Sequence, residues 1–193
     1  MSLGLMGGGA LLRRVRPWCR VGLLAVFPWA VHAAPACEHE VSLVFTESAP
    51  RDLFEMSNGS SMGQSIQRIT LDLAGSAGRL VFDTLEGGTG VEVFQPFRVE
   101  SGEARLANSP AVPDGSDRLE LVFDRFEAGQ RFRFSVDVDD RLTASELGQI
   151  RVSGREMEGA LMTVVFGAPG TPGVERSAKV DSNNVARVKA SCS

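Results

Sequence analysis

The chain has 193 residues, with 20 Lys and Arg against 24 Asp and Glu and a formal net charge of −4. An acidic protein repels nucleic acid and anionic membrane surfaces, so the composition argues against either of these partners.

The N-terminal segment has the pattern of a secretory leader. Four arginines and no acid precede the apolar run VGLLAVFPWAVHA, which ends in small residues at Val31-x-Ala33. This order predicts a signal peptide over residues 1–33, followed by a mature domain over residues 34–193. The run is short and interrupted by Pro28, so it does not predict a membrane span. We therefore expect export, either to the periplasm or out of the cell.

Removal of this leader changes the composition of the protein. Lys and Arg fall from 20 to 16 while all 24 acids stay, so the net charge of the mature domain becomes −8. Both tryptophans, Trp18 and Trp29, are also lost, and the chain contains no tyrosine. Phenylalanine is then the sole aromatic residue of the mature domain.

Two cysteines remain, Cys37 and Cys192, close to the two ends of the mature domain. In an exported protein such a pair most simply forms a disulfide, which predicts that the first and last strands are neighbours. The alternative is a lipoprotein box, Ala34 to Cys37, with Cys37 acylated. Proline at its second position makes that match poor, and acylation would leave Cys192 unpaired.

Alternation of apolar and polar residues recurs along the mature domain, whereas helical periodicity is scarce. Gly, Pro, Asn and Asp clusters separate the alternating segments. The pattern predicts one all-β domain, a β-sandwich of jelly-roll or immunoglobulin-like type with about nine strands. The predicted strands are 40–45, 65–73, 78–84, 91–99, 118–126, 131–138, 149–154, 159–167 and 185–191.

Two connections between these segments carry more specific predictions. Segments 118–126 and 131–138 flank a four-residue connection that contains Gly129, which predicts a β-hairpin. Residues 141–147 include Thr143 and Glu146 at capping-box spacing, which predicts one short helical turn.

The segment RFRFSVDVDD, residues 131–140, ends in three aspartates. In a strand Phe132, Phe134, Val136 and Val138 share the buried face, and Asp137 and Asp139 point to the other side, about 7 Å apart. That spacing is too wide for these two carboxylates alone to hold one ion. A calcium site would need Asp140, a loop carbonyl, or another acid such as Asp83 or Glu86. The alternative is a solvated acidic strand end, balanced by Arg131, Arg133 or Arg141.

Other catalytic chemistry has little support in the sequence. His39 is the one histidine outside the leader, and no nucleophile motif surrounds it, which argues against a Ser-His-Asp triad or a zinc site. Paired carboxylates for polysaccharide hydrolysis remain an alternative, because the mature domain carries 24 acids. The absence of Trp and Tyr removes the usual aromatic platform for a sugar.

Four segments carry a family resemblance: SAGRLVFDT (76–84), GGTGVEVFQPF (87–97), FSVDVDD (134–140) and GQIRVSGREMEGALMTVVF (148–166). Together they resemble secreted bacterial proteins labelled aggregation-factor-core-like, after the core protein of sponge cell-aggregation complexes. The resemblance covers roughly residues 38–167. It implies a β-rich extracellular module that acts in calcium-dependent adhesion or matrix assembly, with Asp83, Asp137, Asp139 and Asp140 in the matching motifs.

Two hypotheses follow from the sequence. The first is a non-enzymatic exported β-sandwich that binds a surface or matrix protein or polysaccharide with the help of calcium. The second is a secreted, carboxylate-based polysaccharide hydrolase. A cleft with two acids about 5 to 10 Å apart would favour the enzyme.

Overall fold

The structure is a computed structural model, which describes residues 40–48, 51–60, 63–88, 94–141, 151–168 and 170–189. Within these ranges the chain forms eleven strands and one short helix. They are β1 (Glu40–Thr46), β2 (Asp52–Asn58), β3 (Ile66–Asp72), β4 (Val81–Asp83), β5 (Arg98–Gly102), β6 (Arg105–Leu106), β7 (Arg118–Arg125), β8 (Arg131–Asp139), α1 (Gly154–Met157), β9 (Leu161–Phe166), β10 (Val174–Lys179) and β11 (Val185–Lys189).

The strands form two antiparallel sheets, which confirms the predicted all-β sandwich. The first sheet has the order β11-β1-β2-β8-β4, and β5 also pairs with β8. The second sheet has the order β10-β9-β3-β7-β6. Strand β8 is central to the first sheet because β2 pairs with one of its edges, while β5 and β4 pair along the other.

Phenylalanine side chains fill much of the core between the sheets. The Phe54 and Phe134 rings stack within the first sheet with their centroids 4.9 Å apart. Phe132 of β8 meets Phe123 of β7 edge-on across the sandwich, at 5.3 Å. Phe132, Phe134, Val136 and Val138 are all buried, as the alternation in β8 predicts. Burying such side chains is the main favourable contribution to folding.

The first and last strands are neighbours, as predicted. Strand β1 pairs with β11 in an antiparallel register that sets Glu40 opposite Lys189 and Val44 opposite Val185. Cys37 and Cys192, whose disulfide led to this prediction, lie outside the described residues.

The predicted hairpin between residues 118–126 and 131–138 is wrong. Strand β7 belongs to the second sheet, where it pairs with β3, and β8 belongs to the first sheet, where it pairs with β2. The connection from Glu127 to Gln130 is a turn that crosses between the sheets, and Asn58 makes two backbone hydrogen bonds with it. The strands therefore face each other through their apolar sides, and core packing takes the place of a hydrogen-bonded ladder.

Several strand predictions also need correction. Strands β2, β6 and β10 were not predicted. The predicted strand 91–99 overlaps β5 only at Arg98 and Val99 and does not extend over residues 94–97, while residues 91–93 lie outside the described residues. Pro96 has no N–H for a ladder, which explains the interruption. Strand β2 carries polar Asp52 and Asn58 at buried positions, so its apolar alternation is reduced to Phe54 and Met56.

The predicted strand 149–154 is wrong over its described part. Residues 151–153 are not a strand, and Gly154 begins helix α1. The Glu156 carboxylate accepts a hydrogen bond from the Ser153 N–H at 2.6 Å, as in a capping box. The helical turn predicted at 141–147 is not present at Arg141, and Thr143 and Glu146 lie outside the described residues. In the described ranges, no helix is long and apolar enough to cross a membrane.

Candidate metal centre

The acids of β8 and β4 come together on one face of the first sheet. In the β4–β8 ladder Asp83 is directly opposite Asp137, and Val81 is opposite Asp139. Residues that face each other in an antiparallel pair project to the same side of the sheet, as do residues two apart in one strand. Asp83, Asp137 and Asp139 therefore share one face, and we call these three residues the Asp triad.

The carboxylate oxygens of the Asp triad are close enough to hold one cation. One oxygen from each residue lies within 4.8 Å of the other two. Two oxygens that both bind calcium at about 2.4 Å lie at most about 5 Å apart. The expectation that Asp137 and Asp139 are too far apart to contact one ion is therefore wrong, because an oxygen of each lies within 4.8 Å of the other. Asp83 supplies a third carboxylate from the neighbouring strand.

The triad is buried, so the alternative of a solvated acidic strand end is wrong. Asp83 is 1% exposed, Asp137 4% and Asp139 2%. Two arginines proposed to balance these acids have other contacts: Arg131 pairs with Glu55, and Arg141 donates to the Gly115 carbonyl.

The two remaining candidate ligands lie apart from the triad. Asp140 is buried but is not among the acids whose oxygens lie within 4.8 Å of one another. Glu86 is exposed on the turn that follows β4 and does not join them either.

Two further acids border the triad, and the sequence analysis did not identify them as site residues. Asp52, at the start of β2, is buried and accepts a hydrogen bond from the Ser48 N–H at 3.2 Å. Asp114 accepts hydrogen bonds at Oδ1 from the N–H groups of Thr84 and Leu85, at 2.9 and 3.2 Å. Asp114 stands in the segment Pro113-Asp114-Gly115, whose residue types are typical of a turn, but the sequence does not show that other carboxylates lie near it.

The electrostatics of this cluster show mutual repulsion. Burial, together with the charges of Asp139, Asp52 and Asp83, raises the pKa of Asp137 to about 8. Each of these neighbours is another carboxylate. In the folded protein the ionised form of Asp137 is therefore strongly disfavoured unless a cation compensates it.

Asp83 and Asp52 show the same effect. Burial raises the pKa of Asp83 to about 7, together with the neighbouring Asp114 and Asp139 carboxyl groups. Burial also raises the pKa of Asp52 to about 7, against the opposing effect of backbone N–H groups at Ser48 and Val138.

The surroundings of the Asp83 carboxylate show most clearly that the cluster lacks a positive charge. Both of its carboxylate oxygens are buried, and neither has a hydrogen-bond partner within the described part of the chain. A buried polar atom without a partner costs about 1–3 kcal/mol, and more when it is charged. A bound cation would supply the missing interaction.

Comparison with known proteins adds no assignment, since no family model, curated protein or solved structure matches the chain.

Proposed function

We propose that the protein is a non-enzymatic β-sandwich that binds calcium at the Asp triad and acts as an exported binding or adhesion module. The observation that carries this proposal is the Asp83 side chain, which is 1% exposed, faces other carboxylates and has no donor among the described residues. Calcium accepts an all-oxygen ligand set of this kind.

Burial of the triad favours calcium over magnesium. Magnesium keeps several of its waters when it binds to proteins, whereas calcium readily exchanges its waters for carboxylate and carbonyl oxygens. With Asp83, Asp137 and Asp139 all at 4% exposure or less, little room remains for a hydrated ion.

The geometry argues against the alternative of polysaccharide hydrolysis. Glycosidases place two carboxyl groups about 5 to 9.5 Å apart on either side of a bond that the substrate brings between them. Here one oxygen from each triad carboxylate lies within 4.8 Å of the other two, and all three residues are buried, so a sugar chain has no access to them.

The described cavities also argue against a carboxylate hydrolase. Two cavities, of about 560 and 250 Å³, are lined by described residues that include no acid. The linings are Gly63, Gln64, Ser65, Phe166, Gly167, Ala168, Pro172, Val174 and Arg176 in the larger, and Thr84, Pro96, Phe97, Ser109, Pro110 and Val112 in the smaller.

The adhesion part of the proposal comes from the resemblance to aggregation-factor-core-like proteins. Asp83 lies in the segment SAGRLVFDT (76–84), and Asp137 and Asp139 lie in FSVDVDD (134–140). The triad residues therefore come from two of the four segments that carry the resemblance. A cation held between β4 and β8 would fix the edge of the first sheet. The partner proposed is a surface or matrix protein or polysaccharide.

The test is thermal unfolding of the protein in EDTA and in millimolar calcium. Calcium at about 100 times its dissociation constant stabilises a folded protein by about 2.7 kcal/mol, which corresponds to a rise of roughly 5–10 °C in melting temperature. We expect this rise for the wild type and its loss in Asp137→Asn/Asp139→Asn. Asp124→Asn, an exposed acid of the second sheet, is the matched control and should keep the rise.

Two outcomes would count against the proposal. A wild-type melting temperature that is the same in calcium and EDTA would exclude a calcium site that stabilises the fold. Release of reducing ends from a polysaccharide, abolished by Asp137→Asn, would replace the binding module with the hydrolase.

A further inference from the structure

The larger of the two described cavities, of about 560 Å³, lies at one end of the second sheet. Its lining comes from the residues before β3, the end of β9 and the start of β10. Asn58 donates its side-chain amide to the carbonyl of Gln64 in this lining, and its backbone N–H to the carbonyl of Gln130, which precedes β8. The cavity therefore lies at the end of the sandwich where β8 begins, whereas the Asp triad lies where β8 ends. Its volume is in the range of about 300–1,000 Å³ that is usual for small-molecule sites.

The start of β10 leaves part of the core side of the second sheet uncovered. The β9–β10 ladder sets Val174 opposite Phe166 and Arg176 opposite Val164. Residues paired in this way project to the same side of a sheet, and Phe166 and Val164 belong to the core. Val174 is nevertheless 50% exposed, and Arg176 is exposed as well. Both side chains thus point to the core side of the sheet but line the cavity.

Hydrogen bonds hold the walls of the cavity in place. The Gly167 N–H donates to the Ser65 carbonyl at 2.9 Å, which joins the wall before β3 to the wall after β9. The Gln67 side-chain amide donates to the carbonyls of Ala168 and Thr171, so the segment after β9 is held against β3. A site with walls that are already ordered loses little conformational freedom when a ligand binds.

The lining combines one cation with an apolar surface. Among the described residues that line the cavity, Arg176 is the one charged residue. A guanidinium group is planar and carries five N–H donors in a geometry that matches a carboxylate, which it can bind through two parallel hydrogen bonds. The apolar side chains of the lining are Phe166, Ala168, Pro172 and Val174. The cavity therefore complements a ligand with an anionic head and an apolar body.

We infer that this cavity binds a small amphipathic carboxylate, with its head group on Arg176 and its apolar chain against Phe166 and Val174. The inference goes beyond the proposed calcium site and does not depend on it. The described lining contains no acid, and the Asp triad lies at the opposite end of β8. A linear saturated monocarboxylate is the simplest ligand of this class.

The test is calorimetric titration of the protein at neutral pH with sodium butanoate, hexanoate and octanoate. Each buried methylene group strengthens binding about fourfold, so we expect the affinity to rise about fifteenfold from one member of this series to the next. Octylammonium chloride has the chain of the longest ligand with the opposite charge on its head group. It should bind at least tenfold more weakly than octanoate.

Two variants separate the contribution of the head group from that of the chain. Arg176→Gln should weaken all three carboxylates by the same factor, of at least tenfold, because it removes the charge that binds the head group. Val174→Asn should reduce the gain per methylene, so octanoate should be weakened more than butanoate. Lys179→Gln is the matched control, because Lys179 is an exposed cation on the opposite side of β10, and it should bind like the wild type.

Several outcomes would overturn the inference. They are no binding of octanoate, equal binding of octanoate and octylammonium, and unchanged binding by a folded Arg176→Gln protein. Self-association of Arg176→Gln, together with no octanoate binding by the wild type, would instead show that Arg176 keeps an edge strand from pairing with another chain. Melting without carboxylate shows whether each variant is folded. Folded Asp137→Asn/Asp139→Asn should bind octanoate like the wild type, so failure of the calcium proposal would leave this inference intact.

Discussion

Asp83 and Asp137 lie directly opposite each other on β4 and β8, and both carboxyl groups are buried. Like charges at facing positions of an antiparallel pair destabilise a sheet, and burial makes their repulsion stronger. The folded protein therefore holds this pair either with bound protons or with a cation. The calcium-free protein loses stability as the pH rises, whereas calcium stabilises the protein more at higher pH because fewer protons compete for the carboxylates.

Without calcium, we expect the protein to lose stability as the pH rises from about 5 to 8. Folding raises the pKa of Asp52 and Asp83 from 3.8 to about 7 and that of Asp137 to about 8. In this window the folded chain binds more protons than the unfolded chain, so the free energy of unfolding falls with increasing pH. Melting temperatures measured in EDTA at several pH values would show this fall.

Variants and calcium provide the controls for the pH prediction. Asp83→Asn and Asp137→Asn should each flatten the profile, and calcium should restore stability most at pH 8, where fewer protons compete. The lowered pKa values of exposed Glu103 and Asp181 act below this window and do not interfere. A melting temperature in EDTA that rises from pH 5 to 8 would contradict the prediction.

We expect Cys37 and Cys192 to form a disulfide under oxidising conditions. The β1–β11 register pairs Glu40 with Lys189, and in the sequence Cys37 precedes Glu40 by three residues while Cys192 follows Lys189 by three. Closing so long a loop stabilises a protein by up to about 5 kcal/mol in the chain-entropy model. Intact mass before and after reduction, and melting with and without reductant, would test it.

The matched control for the disulfide is the Cys37→Ser/Cys192→Ser protein, which reductant should not affect. Its melting temperature should equal that of the reduced wild type. An added acyl mass on Cys37 would instead support the lipoprotein alternative.

Phe134→Ala should destabilise the fold by about 3–5 kcal/mol, the usual cost of removing a buried phenylalanine. The Phe134 ring is fully buried and lies 4.9 Å from Phe54, 5.2 Å from Phe97 and 5.9 Å from Phe132. Val122→Ala, at a site 38% exposed, should change stability by about 0.5 kcal/mol or less. Chemical denaturation measures both, and a similar loss in the two variants would show that this aromatic cluster is not central to the core.

Asn58→Ala should lower the free energy of unfolding by about 1–3 kcal/mol, because it leaves buried carbonyls without donors. The Asn58 amide donates to the carbonyls of Gln64 and Phe126 at 2.9 and 3.0 Å, and its oxygen accepts from the Ser60 N–H. Asn108→Ala, on the exposed surface, is the control in the same denaturation experiment. Equal stability of the two variants would show that the Asn58 network contributes little.

The sequence predicted the strands whose alternation is strong and missed strands without it: β2 has polar residues at buried positions, and β10 has no buried residue. Residues 131–138 form β8 because four apolar side chains repeat at period two. In β2, Asp52 and Asn58 occupy buried positions, and the Asn58 amide donates to the Phe126 carbonyl, 68 residues away, which no local pattern reveals. The hairpin prediction was wrong because alternation and a short turn do not show whether two strands pair within one sheet or pack across two.

The candidate site was predictable only in part, for a similar reason. The cluster of aspartates in RFRFSVDVDD pointed to Asp137 and Asp139, and the need for a further ligand pointed to Asp83. The burial of these carboxylates and the proximity of Asp114 depend on which strands pair with β8. Pairing between distant segments leaves no trace in the local sequence.

The pairing of β1 with β11 also has a consequence for the timing of folding. Glu40 cannot form its ladder with Lys189 until nearly the whole domain has been synthesised, and contacts so distant in sequence make folding slow. The edge of the first sheet is therefore completed only after β11, the last strand in the described part of the chain, has been synthesised.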